Sequence, residues 1–492
     1  MVLNEEYIEK IVRETIGKFD FSGLDTPASR NLPENNAQQV PSVNKQILSA
    51  NKGQGGWMFE DANDAIAAAK NAQKILQEMT IEKREELIAA MRKAALDNNE
   101  YLARLAHEET GYGKVAHKIE KNKVAAQKTP GTEDLVTTAW TGDMGLTLVE
   151  MAPFGVIGSI TPSTNPTSTV INNSISMIAA GNSVVFNPHP SAKNASQETM
   201  RILSEAIVAA GGPASLITTV KTPTLESGKI IMEHKDIPLL SVTGGEAVVA
   251  VAMKTGKKVI AAGPGNPPVI VDETADIEKA AKDIVDGASL DNNVLCVAEK
   301  EVFAVNTIFD RLVSSMINEG AFLIKGDDID KVVNTVFDNK DGKYILNRTF
   351  VGRDASYILD KSGISYYGDP RLIIAEVRSD HLFVITEMLM PVLAMVRVSS
   401  FDEALEKAFI AEQGNQHSAM IHSTNIHNLS NAAAKMNTTV FVKNAPSYTG
   451  IGYNGQGFTT LTIATPTGEG LTSARSFTRF RRCFLSGDFR II

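Results

Sequence analysis

Cysteine is almost missing from this chain: Cys296 and Cys483 are the two in 492 residues. That scarcity excludes a disulfide framework and a cysteine-based zinc site. Histidine is sparse too, at eight residues. His107, His117, His234, His381 and His417 fall into no ligand spacing such as His-Glu-x-x-His, which argues against a metal enzyme. No apolar run reaches the 18 residues a membrane helix needs, and the amino end lacks the apolar core of a secretory signal. Positive charge is not in excess. The formal net charge of -9 speaks against broad nucleic-acid binding, while leaving room for a local basic patch. Internal repeats and low-complexity blocks are absent, and no Gly-x-Gly-x-x-Gly stands between a strand and a helix.

What is present is ordinary globular composition, 43% hydrophobic and 21% charged, in a chain long enough for about three domains. Leu3, Ile8, Ile11, Val12, Ile16 and Phe19 recur at helical spacing among Glu and Lys/Arg residues, so residues 1–19 predict a short amphipathic helix. A polar tether follows over 20–56, rich in Pro, Asn, Gln, Ser and Gly. Two readings fit such a helix: docking on another surface, or packing on its own subunit.

From Asp61 the pattern is helical, with a second helix predicted over 81–106. Beyond it, strands at 145–151, 155–160, 183–186, 216–220 and 238–242 alternate with helices at 166–180, 194–210 and 224–234. Such alternation with short connections predicts a doubly wound parallel sheet. A second α/β unit begins near Lys258 and runs to about residue 443. The tail, 458–492, ends in an Arg/Phe-rich stretch that reads as an extended arm for a subunit interface, or as an edge strand of the chain's own core.

Three turns carry chemical potential. Cys296 follows Asp291-Asn292-Asn293 after a helix predicted over 276–289. It fits either a nucleophilic thiolate or an ordinary core cysteine. Thr243-Gly244-Gly245 closes a buried strand and opens a helix, where close approach and free amides suit a pyrophosphate. Thr161-Pro162-Ser163-Thr164-Asn165-Pro166 also joins strand to helix. The Asn165 amide there suits either an oxyanion donor or an Asx turn or helix cap.

Taken with Ala262-Gly263-Pro264-Gly265-Asn266-Pro267-Pro268, these motifs make the chain closely resemble the aldehyde dehydrogenase superfamily over essentially its whole length. Within it, the resemblance is to the coenzyme-A-acylating aldehyde dehydrogenases of bacterial microcompartments. It implies an α/β fold with a doubly wound dinucleotide-binding domain (57–130 and 152–257), an α/β catalytic domain (258–443) and a β oligomerisation arm (131–151 and 458–492).

The same resemblance implies that Cys296 is the nucleophile, with Asn165 and the Cys296 amide as oxyanion donors. Thr161, Pro162, Ser163, Thr243, Gly244 and Gly245 match the NAD-binding turns, and Glu387 matches a carboxylate on the nicotinamide ribose. Hydrolytic members carry a glutamate where this chain has Ala262, and a ribose-binding lysine where it has Asn187. The implied reaction oxidises a short-chain aldehyde, propionaldehyde or acetaldehyde, with NAD and coenzyme A as co-substrate, through a cysteine thioester. Rival readings are a non-acylating dehydrogenase releasing free acid and an inactive shell-associated scaffold. The implied setting is a homo-oligomer, dimer or tetramer, in the bacterial cytoplasm inside a microcompartment, reached through residues 1–19 binding a shell protein, with no nucleic-acid or membrane partner.

Overall fold

Runs of Val, Ile and Leu cut off by glycine, proline and polar turns build two buried parallel sheets. The computed structural model describes residues 56–487; the expected targeting helix, 1–19, and the expected linker up to residue 55 lie outside them. The first sheet has six strands in the order Met58–Phe59, Ile217–Val220, Ser183–Pro188, Val156–Thr161, Leu239–Thr243, Lys258–Ala262, all parallel. After Val156–Thr161 the chain winds outward through two strands, then returns to add Leu239–Thr243 on the other side. The order therefore reverses between Val156–Thr161 and Leu239–Thr243. In open α/β sheets such a reversal leaves a crevice at the carboxyl ends of the two strands.

Helices cover both faces of this sheet. Ala65, Ile66, Ile231, Val249 and Ala252 pack one side, while Leu87, Met91, Ile171, Ile175 and Leu203 pack the other. The helix Pro166–Ala179 is buried along its whole length. It carries polar residues, and its Asn172 and Asn173 are satisfied by Thr129, Leu461 and Thr462.

The second sheet has seven parallel strands in the order Ala321–Ile324, Leu372–Glu376, Val392–Val398, Glu301–Val305, Pro268–Val271, Ser418–His422, Val440–Lys443. Only residues 263–267 separate the last strand of the first sheet from Pro268–Val271. A third sheet is antiparallel, Thr138–Gly142, Gly145–Pro153 and Thr478–Ser486. It leaves Trp140, Phe480, Phe484 and Leu485 exposed, with the Arg482 guanidinium 5.9 Å from the centre of the Trp140 ring. Within the expected tail arm, this pairing starts at Thr478; residues 459–471 turn back toward the two parallel sheets instead.

Three features depart from the sequence-based expectation. The second α/β unit was expected to begin near Lys258, but Lys258–Ala262 pairs with Leu239–Thr243 as the edge strand of the first sheet, and the second sheet begins with Pro268–Val271. The helix predicted over 81–106 is broken into Ile81–Asp97 and Asn99–Thr110, because Asn98 leaves helical backbone and returns its side-chain N–H to the Ala94 carbonyl. A further helix, Val115–Lys128, lies beyond it and was not foreseen.

Candidate active site

Cys296 stands at the end of a backbone that few sequences tolerate. Asp291, Asn292 and Asn293 all adopt left-handed conformations, with φ of 50°, 54° and 65°. Asp and Asn accept this region most readily among non-glycine residues, yet each such residue still costs about 1 kcal/mol or more. Side-chain hydrogen bonds hold each one. Asn292 Nδ2 donates to the Gly352 carbonyl (2.9 Å) and Asp354 Oδ1 (2.8 Å). Asn293 Nδ2 donates to the Ala288 (2.8 Å) and Glu299 (2.9 Å) carbonyls. Lys300, itself buried, donates to Asn293 O (3.0 Å), Asn293 Oδ1 and Leu295 O (3.2 Å). The Asp-Asn-Asn motif is thus a rigid turn that aims the following cysteine.

Asp291 is held by the helix Val115–Lys128 and its leading residue. Its carboxylate accepts from the Lys114 N–H (2.8 Å), from Lys118 Nζ (3.1 Å) and from Lys121 Nζ. Its own N–H donates to His117 Nδ1 (2.8 Å). A β-carbon at Gly113 would overlap that carboxylate, so the approach requires glycine there, at φ 67° and 65° for Gly111 and Gly113. Although burial alone would raise it, the two lysines bring the Asp291 carboxyl down to about 2.

Burial pushes the Cys296 thiol up to about 12, with the Glu387 carboxylate adding; Lys300 and the N–H groups of Cys296 and Val297 act against this. Without further positive charge, the resting group is a thiol at neutral pH. Glu387 accepts from the Gly265 N–H at 3.4 Å, and burial raises its own carboxyl. The 263–267 connection passes so close that a β-carbon at Gly265 would stand 3.0 Å from the Cys296 carbonyl oxygen and 2.9 Å from the His417 ring. Burial, with Lys300, holds His417 down at about 4, so it is neutral. Its Nδ1 pairs with Ser418 Oγ at 2.7 Å, while Nε2 has no hydrogen-bond partner.

Asn165 ends the other turn. Its side chain makes no cap bond to the helix Pro166–Ala179, so the helix-cap reading does not hold. Instead Oδ1 accepts from Lys121 Nζ at 2.6 Å, the same ammonium that binds Asp291. Lys121, Val124, Leu290, Leu295, Tyr448 and Ile451 line a small pocket, and Leu290, Leu295, Tyr448 and Ile451 also pack with Cys296. Leu295 lines this pocket, whereas Val297 belongs to the same apolar cluster without lining it. The pocket wall is almost wholly apolar.

Thr161–Ser163 and Thr243–Gly245 flank the crevice where the first sheet reverses, so the fold brings together the two turns singled out from sequence. They fit a dinucleotide. A β-carbon at Gly245 would meet nothing within 4 Å, and one at Gly244 only Val248 at 3.9 Å. The helix Glu246–Met253 that follows has no side-chain cap, and the buried Thr161 hydroxyl lacks a partner. Asn187 stands at the carboxyl end of the neighbouring strand, opposite Ile160, and is buried. Its side chain accepts from Ser227 Oγ (2.6 Å) and donates to the Thr224 carbonyl (3.3 Å), fixing the start of the helix Leu225–Glu233.

Residues 39–459 match the aldehyde dehydrogenase family. The chain belongs to that family. It is 48% identical to an acetylating acetaldehyde dehydrogenase of Escherichia coli (strain K12), across 100% of both chains. It is also 48% identical to a CoA-propanoylating propanal dehydrogenase of Salmonella typhimurium, over 89% of this chain and 94% of that one. Among solved structures, a propionaldehyde dehydrogenase of Rhodopseudomonas palustris with bound CoA and an acylated cysteine matches with a TM-score of 0.87 at 45% identity. That match covers 89% of this chain and 100% of the other. Family membership accounts for the α/β architecture built around a dinucleotide crevice.

Lys121, Asp291, Lys300 and His417 are site residues the sequence reading did not assign. The Asp-Asn-Asn run was the one local signal, since three consecutive residues favouring left-handed backbone before a lone cysteine imply a rigid turn. Among the described residues no group of three or more His, Cys, Asp or Glu side chains could hold a metal ion, and no helix is long and apolar enough to cross a membrane.

Proposed function

We propose that this protein oxidises a short-chain aldehyde, propionaldehyde or acetaldehyde, to its acyl-CoA through a thioester on Cys296. The observation that carries the reading is that one carboxylate, Asp291, ties the turn bearing Cys296 to the lysine that holds Asn165. High identity to acetylating and propanoylating relatives over most of the chain supports the substrate class.

The resting Cys296 thiol first loses its proton to solvent, which the positive ring of bound NAD would favour; the thiolate then attacks the aldehyde carbon, and Asn165 Nδ2 with the Cys296 N–H receives the oxyanion. NAD would be held at the 161–163 and 243–245 turns, with Glu387 toward its ribose, and when bound would accept the hydride. The acyl group then sits on Cys296 as a thioester. Coenzyme A then attacks as its thiolate, its proton given up to solvent, and its sulfur displaces Cys296, which leaves as a thiolate. Water competes poorly, because Ala262 stands where hydrolytic members carry the carboxylate that activates it. Exchange of one thioester for another is close to isoenergetic, so the reaction runs in both directions.

The 57–130 and 152–257 segments, with the edge strand Lys258–Ala262, serve as the dinucleotide domain, the remainder of 258–443 as the catalytic domain, and the exposed aromatic face of the antiparallel sheet as a homo-oligomer contact, dimer or tetramer. Residues 1–19 dock on a microcompartment shell protein, placing the enzyme inside a bacterial microcompartment. The test of the activity is product analysis over short aldehydes. Acyl-CoA should appear in step with reduced cofactor only when coenzyme A is present. Free acid forming at the same rate with or without coenzyme A refutes the reading.

A further inference from the structure

We propose that Lys121 is the positioning residue of the oxyanion site: it fixes which way round the Asn165 amide lies and ties that donor to the loop carrying Cys296. This deepens the functional reading above and rests on it. An asparagine side chain presents an oxygen and a nitrogen of nearly equal size, so its shape alone does not decide which faces the reacting carbonyl. The difference in chemistry is total. Nδ2 offers two donors to a developing oxyanion, whereas Oδ1 would offer it a lone pair.

Lys121 removes the ambiguity. An ammonium has three donors and no acceptor. It therefore accepts Oδ1 as its neighbour at 2.6 Å and repels the flipped Nδ2. The other contact of the amide is weak, Nδ2 to Thr164 Oγ1 at 3.3 Å, which leaves a second N–H of Nδ2 uncommitted. No bond from the helix Pro166–Ala179 holds this side chain. Orientation then depends on the lysine.

The lysine is itself over-determined. Its side chain is 9% exposed, beside a wholly buried Asp291 carboxylate that also binds Lys118 and the Lys114 N–H. Asp291 opens the left-handed turn that leads to Cys296. A single ammonium thus bridges two segments far apart in sequence: 170 residues separate Lys121 from Asp291 and 44 separate it from Asn165. Burial lowers Lys121 to about 8, with Asp291 opposing, so it stays mostly charged near neutral pH. Nucleophile and oxyanion donor share one anchor, and neither can move without the other.

The experiment is a double-mutant cycle on the full-length enzyme, with Lys121→Met, Asn165→Ala and both together, read as kcat and KM for propionaldehyde with NAD and coenzyme A. Lys121→Met should lower kcat roughly tenfold to a hundredfold, with KM for NAD unchanged. In the Asn165→Ala background the same change should cost less than about threefold, because the amide it orients is gone. Full, multiplicative losses, or a Lys121→Met enzyme as fast as wild type, would overturn the proposal. If Asn165→Ala itself leaves turnover intact, the oxyanion assignment falls instead, which separates the two failures. Lys121→Gln guards against a misfolded Met variant. It keeps a donor without charge, so it should recover at least part of the lost kcat, and a soluble Gln variant as slow as Asn165→Ala would also count against the idea.

Discussion

Replacing Cys296 with alanine is expected to eliminate the acyl adduct and to lower turnover by about 10⁴-fold or more, the scale seen when covalent catalysis loses its nucleophile. The change leaves the surrounding frame intact, because the turn that aims residue 296 is held by Asp291, Asn292, Asn293 and Lys300 rather than by the sulfur. Intact-protein mass after incubation with aldehyde and NAD checks this directly: wild type gains one acyl group and Cys296→Ala none. An adduct persisting in the variant would move the nucleophile to Cys483. That thiol is exposed on the antiparallel sheet, on the strand Thr478–Ser486, away from the pocket that packs around Cys296.

Asn165→Ala is expected to cut kcat about a hundredfold, the equivalent of roughly 3 kcal/mol of transition-state stabilisation. Cofactor binding should survive, because Gly244 and Gly245 and the helix they open are untouched. Thermal stability should fall only modestly: the side chain caps no helix, and Lys121 keeps its bond to Asp291 when it loses Asn165 Oδ1. That combination distinguishes an oxyanion donor from a structural asparagine, whose removal would lower the melting temperature and spare kcat. Steady-state kinetics beside a thermal melt makes the distinction, and near-normal turnover would remove Asn165 from the mechanism.

Four strands of the first sheet were legible in the sequence because each is a buried apolar run closed by a marked turn, such as Thr161-Pro162 after Val156–Thr161 or Gly244-Gly245 after Leu239–Thr243; the short, half-buried Met58–Phe59 was not, and Lys258–Ala262 was read into the second unit. The two turns that flank its crevice could be picked out for the same reason. Strand order could not, since it depends on pairing between distant segments that no local pattern encodes. The helix Val115–Lys128 was missed because Lys114, Lys118, Lys121 and Lys123 resemble a solvated charged stretch, and only folding brings Asp291 to meet them. Asn187 was legible as a departure, but not its use, which is to hold Thr224 and Ser227. His417 gave no signal because a buried neutral histidine looks like any other until its unpartnered Nε2 is seen beside the Cys296 loop.

The pivotal claim is that the acyl group on Cys296 waits for a thiol because no carboxylate stands at position 262. The most direct measurement is a rapid-quench mass time course of the enzyme loaded with propionaldehyde and NAD, with and without coenzyme A. A long-lived propionyl adduct that vanishes promptly on adding coenzyme A, with propionyl-CoA appearing in equal amount, is the predicted result. An adduct that decays to propionate equally fast in both samples would contradict it.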